Sequence, residues 1–427
     1  MAASFMILMV LFGILTGGCR SKQHAATDGL VTIGVILPSS DKTSAAQDFQ
    51  DGVELALSIV NDRVDLPFPL AAGAGLSRHG GLPLRAMYRR PEANTRAAVA
   101  ALEDLMVVGG LKAILSALND DATLAVSEKA EVMGIPLLSC TATAARLSQR
   151  RLQWFFQLNP DDTLMVDDFL THWQEILAPA STAMPRRLTV VHDKGLRGVG
   201  VARAVRNSAT QCGLNILAEI VYDLAEPSLA PLALVNRKFL HGEMVVLQTD
   251  TAERANLWFQ VWQSLGIRPK AVLVLPFSGP PDDFIKIASV QEEPVFVQLL
   301  ENVAVPNTNF LQTWVAYLYR QRFGREFSST AAISLTGTLV LADALNRAAK
   351  LNRRDIREAL LQTDIPSEQL LLPWPGVKFD PGTGQNVLAT AYIGQFRDRG
   401  VHLVWPRTLT AGPVNWPCQS GKPESRP

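Results

Sequence analysis

Apolar residues along the chain alternate between two spacings, which indicates strands and helices in turn. Val31–Leu37 is an uninterrupted apolar, β-rich run ending at Pro38, as expected for a strand buried in a parallel sheet. In Gln47–Asn61 the apolar residues instead cluster on one helical face. The same alternation predicts further strands at 84–88, 113–116 and 136–139, with helices at 94–107 and 122–133. Strand–helix units in this order predict a doubly wound parallel sheet.

The alternation starts again after 155–158 and predicts a second, similar lobe. Its helices are expected at 163–177, 198–212 and 252–265, and its strands at 187–192, 216–221, 244–248 and 271–276. The chain is then expected to return to the first lobe with a strand at 295–297 and helices at 309–323, 328–351 and 353–362. Strands at 376–380, 391–398 and 401–404 are expected to close the structure as a meander. The predicted fold class is therefore α/β, with two Rossmann-like doubly wound parallel-sheet lobes.

The N-terminus carries an export pattern. Phe5–Leu15 is apolar and uncharged, shorter than the about 20 residues of a spanning helix and of the length of a signal-peptide core. Thr16-Gly17-Gly18 and then Cys19 resemble the lipobox of bacterial lipoproteins, although Thr16 stands where leucine is usual and no Lys or Arg precedes the apolar run. The resemblance implies cleavage before Cys19 and lipidation of its thiol. The alternative is a plain secretory signal in which Cys19 is incidental.

Composition narrows the classes of function. The chain has 427 residues, enough for two lobes, and its 40 Lys and Arg balance its 40 Asp and Glu. A neutral chain gains little from counterion release on nucleic acid, so no nucleic-acid partner is expected. Four cysteines and six dispersed histidines match no metal-site spacing, and no cofactor or metal is expected. No G-x-S-x-G, H-E-x-x-H or G-x-G-x-x-G pattern is in place, so an enzyme is not expected.

Several longer segments resemble one known family. They are VTIGVILP at 31–38, DGVELAL at 51–57, GLPLRAMY at 81–88, ATLAVSEKAEVMGIPLLSCTAT at 122–143, WVAYLYRQRFGREFSSTAAISLTGTLVLADAL at 314–345 and GVKFDPGTGQN at 376–386. In this order they resemble type I periplasmic binding proteins of the branched-chain amino acid (leucine/isoleucine/valine-binding) ABC transporter class. The resemblance spans about 31–404 and implies a hinge of three crossings between the lobes. It also implies a cleft that closes on a small solute and a permease as partner.

The resulting domain boundaries follow the two lobes. Residues 1–19 form the lipoprotein signal peptide, 20–29 a tether, 30–157 with 290–374 lobe 1, 158–289 with 375–406 lobe 2, and 407–427 a disordered tail. Ligands of open α/β sheets bind outside the carboxyl ends of the strands, so the site is expected between the lobes.

In the family that the chain resembles, a serine pair and an Ala-Thr pair hold the ligand carboxylate. The Ala-Thr pair is kept as Ala142-Thr143, while Asn119-Asp120-Asp121 replaces the serine pair. Thr143 could instead cap the turn that follows it, and the three polar residues could cap the helix expected from 122, with Asp121 as the expected cap.

In the second lobe, Arg197 stands where the family has an aromatic residue, and Phe277 where it has the acidic residue that holds the ligand ammonium. Arg197 could be a solvated charge or could bind a carboxylate. Thr249-Asp250-Thr251 lie where the family lines this lobe, or only cap the helix from 252. These changes suggest a ligand with its cationic end near Asp120 and its anionic end near Arg197.

The predicted function is that of an extracytoplasmic solute-binding lipoprotein of an ABC-type importer for an amino acid or a similar small polar solute. We expect a monomer that is anchored to the membrane by its lipid and that contacts a permease. The alternative is an envelope lipoprotein that uses the same fold for protein–protein interaction or regulation. The rewritten pocket and the insert Asp65–Gly81 keep that alternative open.

Overall fold

The computed structural model describes residues 29–38, 44–62, 64, 66, 74–177, 186–249, 251–277, 294–299, 310–372, 374–398, 400–407 and 414–416. The predicted signal peptide with Cys19, the predicted tether apart from its last residue, Asp250 and most of the predicted tail lie outside the described residues.

The first lobe is built on a five-stranded parallel sheet in the order β2-β1-β3-β4-β5. Its strands and helices are β1 (Val31–Ile36), α1 (Ala45–Asn61), β2 (Leu84–Arg89), α2 (Thr95–Val108), β3 (Leu111–Ser116), α3 (Asp120–Met133), β4 (Leu137–Ser139), α4 (Ala145–Gln149) and β5 (Phe155–Gln157). Every residue of β1 is buried, as its uninterrupted apolar sequence predicts.

The second lobe contains a seven-stranded sheet in the order β14-β13-β10-β9-β8-β6-β7. Its elements are α5 (Asp162–Leu177), β6 (Arg187–Asp193), α6 (Leu196–Gln211), β7 (Asn215–Tyr222), α7 (Ala230–Val235), α8 (Arg237–Leu240), β8 (Met244–Gln248), α9 (Ala252–Ser264), β9 (Ala271–Phe277), β10 (Val295–Leu299), β13 (Tyr392–Arg397) and β14 (Gly400–Trp405). β6 to β10 are parallel, and β13 and β14 extend the sheet antiparallel.

The strand expected at 295–297 was assigned to the wrong lobe. β10 lies between β9 and β13 in the second sheet, parallel to the first and antiparallel to the second. Val295, Phe296 and Val297 are buried, with Phe296 in one apolar cluster and the two valines in another. A strand that is apolar on both faces suits the interior of either sheet, so its pattern did not identify the correct sheet.

The closing meander expected at 376–380 and 391–398 with 401–404 was also wrong in part. β13 and β14 form the expected antiparallel pair, but β12 (Gly376–Lys378) pairs instead with β11 (Asp364–Pro366) in a separate two-stranded sheet. The remaining helices are α10 (Phe310–Phe323), α11 (Ser329–Arg347) and α12 (Arg353–Leu361). α11 is almost entirely buried and packs along α1. At their contact Gly52 is required, because a Cβ there would lie 2.4 Å from the Ala331 carbonyl oxygen.

The described residues include two passages of the chain between the lobes, after β5 and between β12 and β13. Residues 300–309, between β10 and α10, lie outside the described residues, so the expected third crossing stays a prediction. The two described passages are hydrogen-bonded to each other. Gln157 N–H donates to the Gly384 carbonyl oxygen at 2.9 Å, and Asn386 N–H donates to the Gln157 carbonyl oxygen at 2.9 Å. Gly384 has a φ of +70°, and a Cβ there would overlap the Phe155 carbonyl oxygen. The segment 376–386, one of the segments that resemble the family in sequence, therefore forms part of the hinge.

The three largest apolar clusters of the described residues form the core of the protein. One runs from the α1–α11 side of the first sheet to one face of the second sheet, and one lies under α2 and α3. A third lies between the second sheet, α5 and α6, and includes Trp173, Phe296 and Trp416. Trp416 is buried, and Asn415 N–H donates to Gln395 Oε1 at 2.8 Å, so 414–416 is packed although the whole tail was expected to be disordered.

Among the described residues, no helix is both long and apolar enough to cross a bilayer.

Candidate functional site

The first part of the site lies at the carboxyl edge of the first sheet, beyond β3. The Asn119 side chain accepts a hydrogen bond from Ala122 N–H at 2.9 Å and is the cap of α3. Asp121, the expected cap, is instead an exposed residue of the first helical turn, because the helix begins two residues earlier than predicted. Asp120 is the first helical residue. Its Oδ1 accepts hydrogen bonds from the backbone N–H groups of Thr143 and Ala144, each at 2.8 Å.

The Ala-Thr pair lies directly beyond β4. Ala142 and Thr143 are both 2% exposed. Thr143 does not cap α4, because Ala144 is the residue before that helix and makes no side-chain capping bond. Thr143 contributes through its backbone: its N–H donates to Asp120, and its carbonyl oxygen accepts from Asp162 N–H at 2.8 Å.

Asp162 is a site residue that the sequence reasoning missed. It begins α5 at the first passage between the lobes and is fully buried. Its Oδ1 accepts a hydrogen bond from Arg197 Nε at 3.3 Å. Arg197 lies in the first turn of α6 and is 7% exposed, so it is not the solvated charge that was one of its two interpretations. The structure therefore brings Asp120, Thr143, Asp162 and Arg197 together at the boundary of the lobes.

Burial dominates the electrostatics of this group. It raises the pKa of the Asp162 carboxyl well above its ordinary value; Arg197 opposes the rise, and the charges of Asp120 and Asp161 add to it. Burial also raises the pKa of Asp161, whose Oδ1 caps α5 by accepting from Thr163 and Leu164 N–H at 3.0 Å. The Asp162 carboxyl thus has the charges of two other carboxyl groups near it and is paired with the Arg197 guanidinium.

The two lobes touch at this point. Leu196, next to Arg197 on α6, packs against the apolar cluster of the first lobe that contains Ala142, Ala144 and Leu147. The carboxyl ends of β3, β4 and β6 therefore meet across the boundary, which is where open α/β sheets bind their ligands.

The remaining predicted residues of the second lobe lie along its strand ends. Thr249 is fully buried after β8, and its Oγ1 donates to the Thr251 carbonyl oxygen at 3.1 Å. Thr251 caps α9 by accepting from Arg254 N–H at 3.3 Å, as the alternative interpretation predicted for this turn. Phe277 is the last residue of β9, where its backbone is paired with Leu299. Asp250 lies outside the described residues.

A separate cavity of about 510 Å³ lies beside the ends of β6 and β7 in the second lobe. Its lining combines charged and apolar side chains, among them Lys194, Tyr222, Asp223, Leu229 and Val235. None of the site residues predicted from the sequence lines it. Within the described part of the chain, no group of three His, Cys, Asp or Glu side chains is arranged to hold a metal ion, and Cys140 and Cys212 are not joined in a disulfide.

Comparison with known proteins is decisive for the family. A family model described as "Periplasmic binding protein" matches residues 30–400. The chain belongs to the periplasmic binding protein family. Membership implies an extracytoplasmic location and a binding protein rather than an enzyme. The family and the two-lobed fold class predicted from the sequence are both confirmed.

Curated relatives of this periplasmic binding protein come from Brucella. "Leu/Ile/Val-binding protein homolog 8" of Brucella suis biovar 1 (strain 1330) is 23% identical over 391 residues, which cover 88% of this chain and 94% of the relative. "Leu/Ile/Val-binding protein homolog 7" of Brucella abortus (strain 2308) is 22% identical over 344 residues, covering 78% and 83%.

Solved structures share the fold of this periplasmic binding protein. An ABC transporter substrate-binding protein from Desulfitobacterium hafniense in complex with Leu has a TM-score of 0.67 at 18% identity and covers 87% of this chain and 99% of its own. A fatty acid ABC transporter substrate-binding protein from Thermomonospora curvata has a TM-score of 0.65 at 15% identity and covers 88% and 92%.

Proposed function

We propose that this periplasmic binding protein is the solute-binding component of an ABC-type importer and takes an amino acid or a similar small polar solute between its lobes. One observation carries the proposal. The carboxyl strand ends of two doubly wound sheets meet, at the hinge between the lobes, at a polar cluster of the half-buried Asp120 and the buried Thr143, Asp162 and Arg197. A solute that contacts both lobes there favours the closed arrangement, because it binds that arrangement better than an open one.

The amino acid class is supported by the relatives and neighbours named above. Their names refer to leucine, isoleucine and valine in the Brucella proteins and to leucine in the Desulfitobacterium complex. We further propose that the protein acts by binding alone, as a monomer that delivers its solute to a membrane permease.

Ligand-dependent thermal stability tests the proposal. The purified protein is heated with each member of a panel of amino acids, amides and short organic acids. A true ligand at 100 times its dissociation constant adds about 2.7 kcal/mol to the free energy of unfolding. At least one solute class is expected to raise the melting temperature in proportion to the logarithm of its concentration. No response across the panel would overturn the transport proposal.

One observation favours the alternative role in protein–protein interaction at the envelope. The N–H groups of Thr143 and Ala144 are already engaged by Asp120, and Arg197 is already paired with Asp162. A protein whose cleft groups are already hydrogen-bonded to one another would show no rise in melting temperature with any solute in the same assay. It would instead be cross-linked to a protein partner in its own cells.

We also propose that the protein is exported and anchored through a lipid on Cys19. The apolar run Phe5–Leu15 followed by small residues and Cys19 supports this. Labelling of growing cells with a radioactive fatty acid, followed by detergent phase partition, tests it. The wild type is expected to carry label and to enter the detergent phase, while Cys19→Ser loses both. Label on the Cys19→Ser protein would refute the anchor.

A further inference from the structure

Two backbone donors at the centre of the site are already used by the protein itself. Thr143 and Ala144 point their N–H groups at a single oxygen, Oδ1 of Asp120, at 2.8 Å each. Adjacent N–H groups that converge on one point form a small anion-binding concavity, and hydrogen bonds to an ionised acceptor are the strong ones. This concavity follows β4, at the edge of the sheet where the lobes meet, and here its anion is a side chain.

The residues around Asp120 also disfavour a ligand carboxylate at this position. Asp161 and Asp162 are buried nearby, and the Arg197 guanidinium donates to Asp162. Asp162 Oδ2 is also buried and accepts no hydrogen bond from the residues that the structure describes. A carboxylate entering beside Asp120 would find its donors occupied and a like charge a few ångströms away, which disfavours its ionised form. A group that donates hydrogen bonds would find acceptors.

We propose that Asp120 supplies the carboxylate that the Thr143 and Ala144 N–H groups would otherwise take from a ligand, so that the cleft selects solutes whose end at this position is an uncharged or cationic hydrogen-bond donor, such as a carboxamide, over free carboxylates. The inference rests on the proposed function, since it specifies the chemistry of that solute. It makes Asp120 a specificity-determining residue. The hypothesis of a cationic end near Asp120 is thereby retained, and that of an anionic end on Arg197 is replaced.

Matched ligands and one substitution test the inference. The probes are the twenty L-amino acids and their α-carboxamides, which share each side chain and differ in the carboxyl group. Dissociation constants are measured by calorimetry for the wild type, for Asp120→Ser and for Asp121→Ser. Asp121 is the control, because it is an exposed acidic residue of the same helical turn. Serine at 120 removes the charge and shortens the side chain, which frees the two N–H groups.

The wild type and Asp121→Ser are expected to bind at least one carboxamide about tenfold or more tightly than its parent acid, a difference of one charge-assisted hydrogen bond. Asp120→Ser is expected to reverse that preference. Asp120→Asn, which keeps an acceptor for the N–H groups but no charge, is expected to lie between the two and serves if Asp120→Ser does not fold.

Two other outcomes separate this inference from the proposed function. If the wild type binds a free amino acid as tightly as Asp120→Ser or Asp120→Asn does, the role of Asp120 is refuted while solute binding stands. If no probe binds either the wild type or any variant, binding of this solute class is refuted and the inference falls with it.

Discussion

Replacing Arg197 by leucine should destabilise the protein, and by an amount that depends on pH. Arg197 is the cation beside the fully buried carboxyl of Asp162, with Nε and Oδ1 3.3 Å apart. Leucine fills part of the space but leaves that carboxyl without its counter-charge. Breaking a buried pair by removing one partner typically costs about 3–5 kcal/mol, because a charge is left uncompensated in a low-dielectric site.

The Asp162 carboxyl can limit this cost by taking up a proton, and the free energy of that protonation is the upper limit of the destabilisation. Its ordinary pKa is 3.8, which applies to the unfolded chain. Holding it protonated in the folded state at pH 7 costs about 4.5 kcal/mol, and at pH 5 about 1.7 kcal/mol, at roughly 1.4 kcal/mol per pH unit. The charge-dependent cost of Arg197→Leu should therefore stay below about 4.5 kcal/mol at pH 7 and shrink by more than half at pH 5.

The direction in which stability changes with pH follows from the raised pKa of Asp162. The folded protein holds a proton there over a pH range in which the unfolded chain has released it, so stability falls as the pH rises through that range. Removing Arg197 raises the folded pKa further and extends the fall to higher pH. Asp162→Asn abolishes the contribution of this group, because an amide does not titrate.

Urea unfolding followed by circular dichroism at pH 5 and pH 7 measures these effects for the wild type, Arg197→Leu, Asp162→Asn and the double variant. In the Asp162→Asn background, Arg197→Leu should cost only the loss of its packing and remaining interactions, and that cost should be the same at both pH values. Arg206→Leu is the control: Arg206 is a half-exposed residue of α6 paired with Glu219, and its loss should cost below about 1 kcal/mol. A cost for Arg197→Leu that is equal at the two pH values, or is unchanged by Asp162→Asn, would refute the reasoning.

Two further predictions concern packing, and both are read from melting temperature and urea midpoint. Gly337→Ala places a Cβ 2.5 Å from Cys140 Sγ and should lower the free energy of unfolding by about 1–3 kcal/mol. Adding Cys140→Ala should recover part of that loss. Full stability in the single variant would contradict the close approach. Trp173→Ala removes the ring that contacts Phe296 and Trp416 and should cost about 3–5 kcal/mol of stability. Trp314 is 38% exposed, so Trp314→Ala should cost much less. Equal costs would count against a buried Trp173.

Much of the fold was predictable because local periodicity and burial agree. The strand predicted at 244–248 has those same bounds, and the helix predicted at 163–177 begins one residue earlier. Where sheet membership depends on partners far away in the chain, the prediction failed. The strand at 295–297 was correctly recognised as a strand but was assigned to the wrong sheet, because pairing with β9 and β13 has no local signature.

The candidate site was predicted less well, since its geometry depends on small shifts in helix boundaries. Asn119 rather than Asp121 caps α3, and this offset makes Asp120 the first helical residue, which reaches the loop beyond β4. The missed residue, Asp162, had a usable signal. Two consecutive acidic residues follow β5, at the carboxyl edge of a parallel sheet, where Asp161 caps the next helix and leaves Asp162 to turn inward.

The chemistry of this cleft therefore depends on the length of one side chain as much as on its charge. Asn119 caps the helix and so fixes the position of Asp120. The Asp120 carboxylate extends just far enough to accept hydrogen bonds from both Thr143 N–H and Ala144 N–H. A serine hydroxyl on the same Cα is one atom shorter and leaves those donors facing the space between the lobes. The same backbone can thus present an anion-binding or an anion-excluding surface, because the choice is made by the first residue of a helix and not by the fold.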